Sequence, residues 1–66
     1  MDVVINGQPH QVAEQISLAA AVSLITTAVT GVAAAVNGDV VRRGAWDATR
    51  LAPGDEVEVV TAVQGG

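Results

Sequence analysis

The amino-acid sequence predicts a small α+β domain, in which a mixed sheet is wrapped on one helix. Two observations predict this fold class. Short apolar runs bounded by Gly-containing turns occur near both ends of the chain, and one segment with helical periodicity lies between them. The chain has 66 residues, a length that makes one domain near the lower limit for folding without cross-links.

The first predicted element is a β-hairpin. Val3-Val4-Ile5 and the segment Gln8–Val12 flank Asn6-Gly7, and Asn-Gly supplies the two positive-φ residues that a type I′ turn requires. Pro9 has no backbone N–H, so its strand is expected at an edge of the sheet.

The second predicted element is a helix over 17–27. Ser17 is placed to cap its N-terminus, and Gly31 follows as a C-cap or linker residue. Four apolar side chains share one helical face: Leu18, Val22, Ile25 and Val29. No charged residue lies between Glu14 and Asp39, and that length is sufficient to span a bilayer. Its many Ala, Ser and Thr residues and its turns favour a helix followed by a strand, so no membrane span is expected.

The remaining strands are predicted in the second half. Val32, Ala34 and Val36 alternate with smaller residues, and Asn37-Gly38 repeats the turn chemistry before Val40-Val41. Residues 42–51 are expected to form a loop, with a helical turn around Ala45-Trp46 and with Trp46 at a partly buried edge of the core.

The turn Pro53-Gly54-Asp55 precedes the last predicted strand, Glu56–Val60. Val57 and Val59 are expected to face the helix, because alternate side chains of a strand point to opposite faces. Four residues then share the open face: Glu56, Glu58, Val60 and Ala62. We expect this acidic and apolar stripe to dock on a partner protein; an ordinary solvated sheet face is the alternative.

Composition excludes several classes of function. There is no Cys, which rules out disulfides and thiolate metal sites and fits a reducing compartment. The formal net charge of −4 disfavours nucleic acid as a partner. Neither a Gly-rich phosphate loop nor a Cys nucleophile is present, and so short a chain has little room for a deep pocket of the ~300 Å³ or more that is typical of small-molecule sites. Independent catalysis and a metal site are therefore not expected.

The sequence ends in Gly65-Gly66. Glycine has no Cβ, so two glycines allow the backbone to enter a slot that is too narrow for other residues. A carboxylate at the end of such a tail is a chemical handle. A frayed terminus, or residues added by cloning, are the alternatives.

Several motifs together resemble the ThiS family of sulfur carriers in thiamine biosynthesis. They are Val36-Asn37-Gly38, Val40-Val41-Arg42-Arg43, Trp46, Leu51-Ala52-Pro53-Gly54-Asp55-Glu56-Val57-Glu58-Val59-Val60 and Val63-Gln64-Gly65-Gly66. The resemblance implies the β-grasp fold of ubiquitin, with a mixed sheet of four to five strands packed on one main helix. It divides the chain into a β-grasp domain over 1–60 and a flexible C-terminal tail over 61–66.

The resemblance also implies a function. An adenylating, ATP-dependent activating enzyme would adenylate the Gly66 carboxylate, a sulfur donor protein would convert it into a thiocarboxylate, and thiazole synthase would take the sulfur. Val63, Gln64 and Gly65 would carry Gly66 into the active sites of these partners. The chain would be a co-substrate in the cytoplasm, with no catalytic residue, no metal and no bound cofactor of its own, since the partner uses the ATP.

Three alternatives use the same fold. The small subunit of molybdopterin synthase would carry sulfur on the same tail, and a ubiquitin-like modifier would join Gly66 to lysines of other proteins. A non-catalytic interaction module would bind partners through the domain and leave the tail unused. The residues 61–63, Thr-Ala-Val, favour the thiamine carrier over the molybdopterin subunit, which often has prolines there.

Overall fold

The computed structural model describes residues 1–28 and 30–61, and in them one five-stranded sheet packs on one α-helix. The elements in chain order are β1 (Asp2–Ile5), β2 (Gln8–Gln11), α1 (Leu18–Ser23), β3 (Val32–Val36), β4 (Asp39–Val41), a 3-10 turn (Arg43–Ala45) and β5 (Glu56–Thr61). The strand order is β2-β1-β5-β3-β4. β5 is parallel to β1 and antiparallel to β3, so the sheet is mixed. This is the predicted α+β, β-grasp architecture.

β1 and β2 form the predicted hairpin. Asn6 and Gly7 have φ values of 52° and 81°, as a type I′ turn requires. Val3 and Ile5 point into the core, and each is only 1% exposed. Pro9 lies in β2, an edge strand of the sheet, which confirms the position expected from its missing N–H.

α1 begins where the sequence predicts. The Ser17 hydroxyl accepts a hydrogen bond from the Ala20 N–H at 3.1 Å, so Ser17 caps the first turn. Leu18 and Val22 lie on the buried face of the helix and pack under the sheet. Across residues 1–28 and 30–61, no helix is both long and apolar enough to cross a bilayer.

α1 ends at Ser23, so the predicted helix over 17–27 is too long. The Ser23 hydroxyl donates to the Ala19 carbonyl at 3.0 Å, and the Thr26 hydroxyl accepts from the Ala28 N–H at 3.0 Å. Such local hydrogen bonds compete with the helical ones, and β-branched residues in this run weaken the helix further. Two of the predicted face residues thus lie beyond α1: Ile25, which is exposed, and Val29, which lies outside the described residues.

β3 and β4 form the second hairpin, with φ values of 51° at Asn37 and 87° at Gly38. After β4, the 3-10 turn lies close to the helical turn that the sequence predicts. Trp46 follows this turn and is only 4% exposed, so it belongs to the core itself rather than to a partly buried edge. Its indole N–H donates to the Val41 carbonyl at 2.8 Å, which satisfies the polar atom of the buried ring.

β5 lies in the centre of the sheet, between β1 and β3. It extends one residue beyond the predicted end at Val60, because Thr61, which the sequence assigns to the tail, pairs with Val32. The core combines residues of the sheet, the helix and the segment between β4 and β5: Val3, Ile5, Leu18, Ala21, Val22, Ala34, Trp46, Leu51, Val57 and Val59.

Candidate functional site

The candidate site has two parts, the tail and the open face of the sheet. The predicted tail residues Ala62, Val63, Gln64, Gly65 and Gly66 lie outside the described residues. The described chain reaches Thr61, the last residue of the central strand β5. The tail is therefore attached to the strand that also carries most of the predicted docking stripe.

β5 has one buried face and one exposed face. Val57 and Val59 are 1% and 7% exposed and pack in the core. Glu56, Glu58 and Val60 are exposed on the opposite face, which is the alternation that the sequence predicts. The two carboxylates and the isopropyl group are thus displayed together on a rigid central strand.

Neighbouring strands extend this exposed face across the sheet. In the ladder between β3 and β5, Ala35 is opposite Glu58 and Ala33 is opposite Val60. Ala35 is also opposite Val40 of β4. Because the β3 side chains are small, they leave a shallow depression of about 230 Å³ between larger neighbours. It is lined by Ala33, Ala34, Ala35, Val40, Glu58 and Val60.

Val40 is a residue of this face that the sequence analysis did not assign. It is 80% exposed, and Val60 is 64% exposed. The signal for Val40 is the alternation in β4: Val41 is half-buried, so the Val40 side chain points to the opposite face. The exposed side chains of Val40 and Val60 form an apolar rim around the depression, and Glu58 adds a carboxylate to it.

The open face combines acidic and apolar groups. Among the described residues, no group of three His, Asp or Glu side chains is placed to hold a metal ion. Glu56 and Glu58 are surface carboxylates next to apolar side chains. A complementary partner would present a basic group and an apolar side chain, and burial of both would favour the complex.

Two asparagine side chains hold β5 in place, a role that the sequence analysis did not assign to them. The Asn6 amide accepts from the Val59 N–H at 2.8 Å and donates to the Val59 carbonyl at 3.1 Å. The Asn37 amide accepts from the Glu56 N–H at 2.9 Å and donates to the Asp55 carboxylate at 3.1 Å. Each asparagine therefore serves both as a turn residue and as a side-chain extension of the ladder. The Asn-Gly pattern predicts only the turn.

A second depression lies on the helix side of the sheet. It has a volume of about 350 Å³. The Arg43 guanidinium lies 4.6 Å from the centre of the Trp46 ring on one wall. The lining residues Ser23, Thr27 and Asp47 are exposed, which makes it an open surface groove rather than an enclosed pocket.

Comparison with known proteins gives one family and one set of solved structures. The ThiS family model matches residues 3–66. The crystal structure of the thiamine biosynthesis protein ThiS from Geobacter metallireducens is similar with a TM-score of 0.80 and 35% identity, and the match covers 100% of both chains. The solution NMR structure of a thiamine biosynthesis protein from the same organism has a TM-score of 0.81 and 35% identity, over 100% of this chain and 88% of that one. No curated protein sequence matches this chain.

Proposed function

This chain belongs to the ThiS family, and we propose that it carries sulfur for thiamine biosynthesis on the carboxylate of Gly66. The observation that carries the proposal is that the family match extends through Gly65-Gly66 and that both solved neighbours are thiamine biosynthesis proteins. This match favours a sulfur carrier for thiamine biosynthesis over the three alternatives: the small subunit of molybdopterin synthase, a ubiquitin-like modifier and a non-catalytic interaction module. We propose the cytoplasm as its location, which the absence of Cys fits.

The proposed chemistry takes place on one group. A carboxylate at the end of a chain is ionised at neutral pH and is inert towards sulfur nucleophiles. An activating enzyme uses ATP to join AMP to the Gly66 carboxylate and releases pyrophosphate. A sulfur donor protein then displaces AMP and leaves a thiocarboxylate, from which thiazole synthase takes the sulfur. The chain contributes no catalytic side chain and binds no cofactor, because the activating enzyme binds the ATP.

The geometry explains how a small domain can present this group. The five residues 62–66 span at most roughly 16–18 Å when fully extended. This span is shorter than that of the predicted six-residue tail over 61–66, because Thr61 pairs with Val32 in the sheet. The domain must therefore dock close to the entrance of the partner's active site, with β5 directed towards it.

We propose that the open face provides this docking. Glu56, Glu58 and Val60 lie on the strand that continues into the tail, so contact with them also sets the direction of the tail. Ala62 has the same parity in the sequence and is proposed as the last residue of the docking stripe. The partner surface is expected to be basic around an apolar centre, which would complement the carboxylates and the two exposed valines.

The experiment that tests the proposal compares two Gly→Val variants. Gly65→Val adds a branched side chain in the tail segment that has to enter the active site. Gly44→Val is the matched control, because a Cβ at Gly44 meets no atom within 4 Å and the residue is not at positive φ. Each variant is incubated with the activating enzyme and ATP, and pyrophosphate release is measured.

We expect Gly65→Val to lower the rate of adenylation by about 100-fold or more, because a misplaced reacting group loses the advantage of orientation. Gly44→Val should react like the unmodified chain. Mass spectrometry after addition of the sulfur donor should then show replacement of one oxygen by sulfur in the control alone. A normal rate of adenylation for Gly65→Val would contradict the proposal.

A further inference from the structure

We propose that Asn37-Gly38 is a spontaneous deamidation site in the folded protein, and that the sheet protects the identical dipeptide Asn6-Gly7. Both pairs lie in type I′ turns with positive φ at each residue. Glycine after asparagine favours the reaction, because its backbone nitrogen is not shielded by a side chain. The two sites therefore have similar intrinsic reactivity, and the fold makes them different.

The reaction needs only water. The Gly38 backbone nitrogen attacks Cγ of Asn37, the bond from Cγ to Nδ2 breaks, and Nδ2 leaves as ammonia with the proton of the Gly38 amide. The product is a five-membered succinimide ring. Water then adds to one of its two carbonyl carbons and opens the ring to aspartate or isoaspartate. No oxidant, reductant or cofactor takes part.

The sequence supplies an internal control. Ile5 precedes Asn6 and Val36 precedes Asn37, so each asparagine lies between a β-branched residue and glycine. In the unfolded chain the local surroundings of the two amides are nearly the same. A difference in rate in the folded protein must then come from the structure around each turn.

At Asn6 the amide is held firmly. Its oxygen and nitrogen bond the N–H and the carbonyl of one residue, Val59, at 2.8 and 3.1 Å; Asn6 itself is exposed, but both hydrogen bonds are partly buried. Cγ cannot turn towards the Gly7 nitrogen until both bonds break. The hairpin itself is anchored by Val3 and Ile5, which are each 1% exposed. Release of Asn6 therefore requires opening of a well-packed part of the sheet.

The hydrogen bonds of the Asn37 side-chain amide are more exposed to solvent than those of Asn6. The partners of Asn37 are the Glu56 N–H at 2.9 Å and the Asp55 carboxylate at 3.1 Å, and both hydrogen bonds are open to solvent. Both hairpins include an edge strand, and β4 is one residue shorter than β2. Val36, the residue before this turn, is only half-buried, whereas its counterpart before the other turn is 1% exposed. Local opening of this turn should therefore cost less free energy than opening at Asn6.

Deamidation would change the electrostatics at the start of β5. A carboxylate at position 37 would replace the N–H donor with an oxygen that faces the Asp55 carboxylate across the 3.1 Å contact. Like charges at this distance repel each other. The reaction product should thus have a loosened hairpin between β3 and β4, next to Glu56.

The first experiment uses the full chain without substitutions. It is incubated in mildly alkaline buffer, with and without denaturant, and peptide mapping by mass spectrometry measures aspartate and isoaspartate at both sites. In denaturant, the two rates should agree within about twofold. In the folded protein, Asn37 should react on the order of tenfold faster than Asn6, because the two hydrogen bonds of Asn37 are open to solvent and the two of Asn6 are partly buried. Equal rates in the folded protein, a faster reaction at Asn6, or no reaction at Asn37 would overturn the proposal.

A second experiment tests the local anchor of Asn37. Asp55→Ala removes the acceptor of its Nδ2 and should raise the rate at Asn37 severalfold while the rate at Asn6 stays the same. Glu14→Ala is the control, because it removes the same charge from an exposed residue outside both hairpins. An unchanged rate at Asn37 in Asp55→Ala, or an equal rise at both asparagines, would overturn the role of this anchor.

Discussion

The two faces of β5 differ in both burial and chemistry. Val57 and Val59 on the inner face are almost completely buried, whereas Glu56, Glu58 and Val60 on the outer face are exposed. One strand therefore forms the centre of the core and also presents the proposed docking surface. The comparison teaches that stability and partner recognition can be altered separately by substitution of adjacent residues.

The partners of β5 in the sheet strengthen this contrast. On the inner face, Val57 is opposite Ile5 of β1 and Val36 of β3, which are both large apolar residues. On the outer face, Glu58 and Val60 are opposite Ala35 and Ala33. Large partners fill the core on one side, and small partners leave the depression on the other.

The largest expected effect on stability is the difference between the same substitution on the inner face and on the outer face of β5. Val57→Ala should lower the free energy of unfolding by about 2–3 kcal/mol, because it removes two buried methyl groups and leaves a cavity. Val60→Ala, the same change on the outer face, should alter it by at most about 0.5 kcal/mol. Chemical denaturation measures both. Similar losses for the two variants would contradict the separation of the faces.

A smaller effect is expected from the two asparagines that bond the backbone of β5, Asn37 at Glu56 and Asn6 at Val59. Asn6→Gly keeps a residue that tolerates positive φ but removes both side-chain bonds to Val59, and should cost about 1–2 kcal/mol. Asn37→Gly removes the more exposed pair of bonds and should cost less, about 0.5–1 kcal/mol. Thermal and chemical unfolding of the two variants give the comparison. A greater loss of unfolding free energy for Asn37→Gly than for Asn6→Gly would contradict the difference in burial between the two sets of hydrogen bonds.

The third expected effect is electrostatic, and it concerns the rate of activation rather than the free energy of unfolding. Glu56→Lys with Glu58→Lys should slow activation at low salt by about threefold to tenfold, because steering towards a basic partner is lost. The unfolding free energy should hardly change, since both side chains are exposed. The measurement is the rate of adenylation as a function of salt concentration.

The control for this charge reversal is Glu14→Lys with Asp47→Lys, which changes the net charge equally at exposed residues outside β5. It should slow activation less than the reversal in β5. If both double variants react alike, net charge rather than the docking stripe sets the rate, and the proposed role of the outer face is wrong.

Local elements were predictable because their signals lie within a few residues. Both Asn-Gly turns, the Ser17 cap and the alternation of β5 appear in the structure as the sequence predicts. The end of the helix was not predictable to the same degree. Apolar periodicity continues to Val29 in the sequence, while the hydroxyls of Ser23 and Thr26 form local hydrogen bonds that end the regular helix at Ser23.

The sequence by itself determined the α+β class, the turns, the two-faced last strand and the terminal Gly-Gly motif, because each depends on residue type and short-range spacing. Only the tertiary structure decided that β5 lies between β1 and β3, that Val40 joins Glu58 and Val60 on one face, and that the Asn6 and Asn37 side chains bond the backbone of β5. These features join residues that are up to 53 positions apart in the chain, as in the bond from Asn6 to Val59. Pairing over such a distance depends on how strands share one core, and no local pattern specifies it.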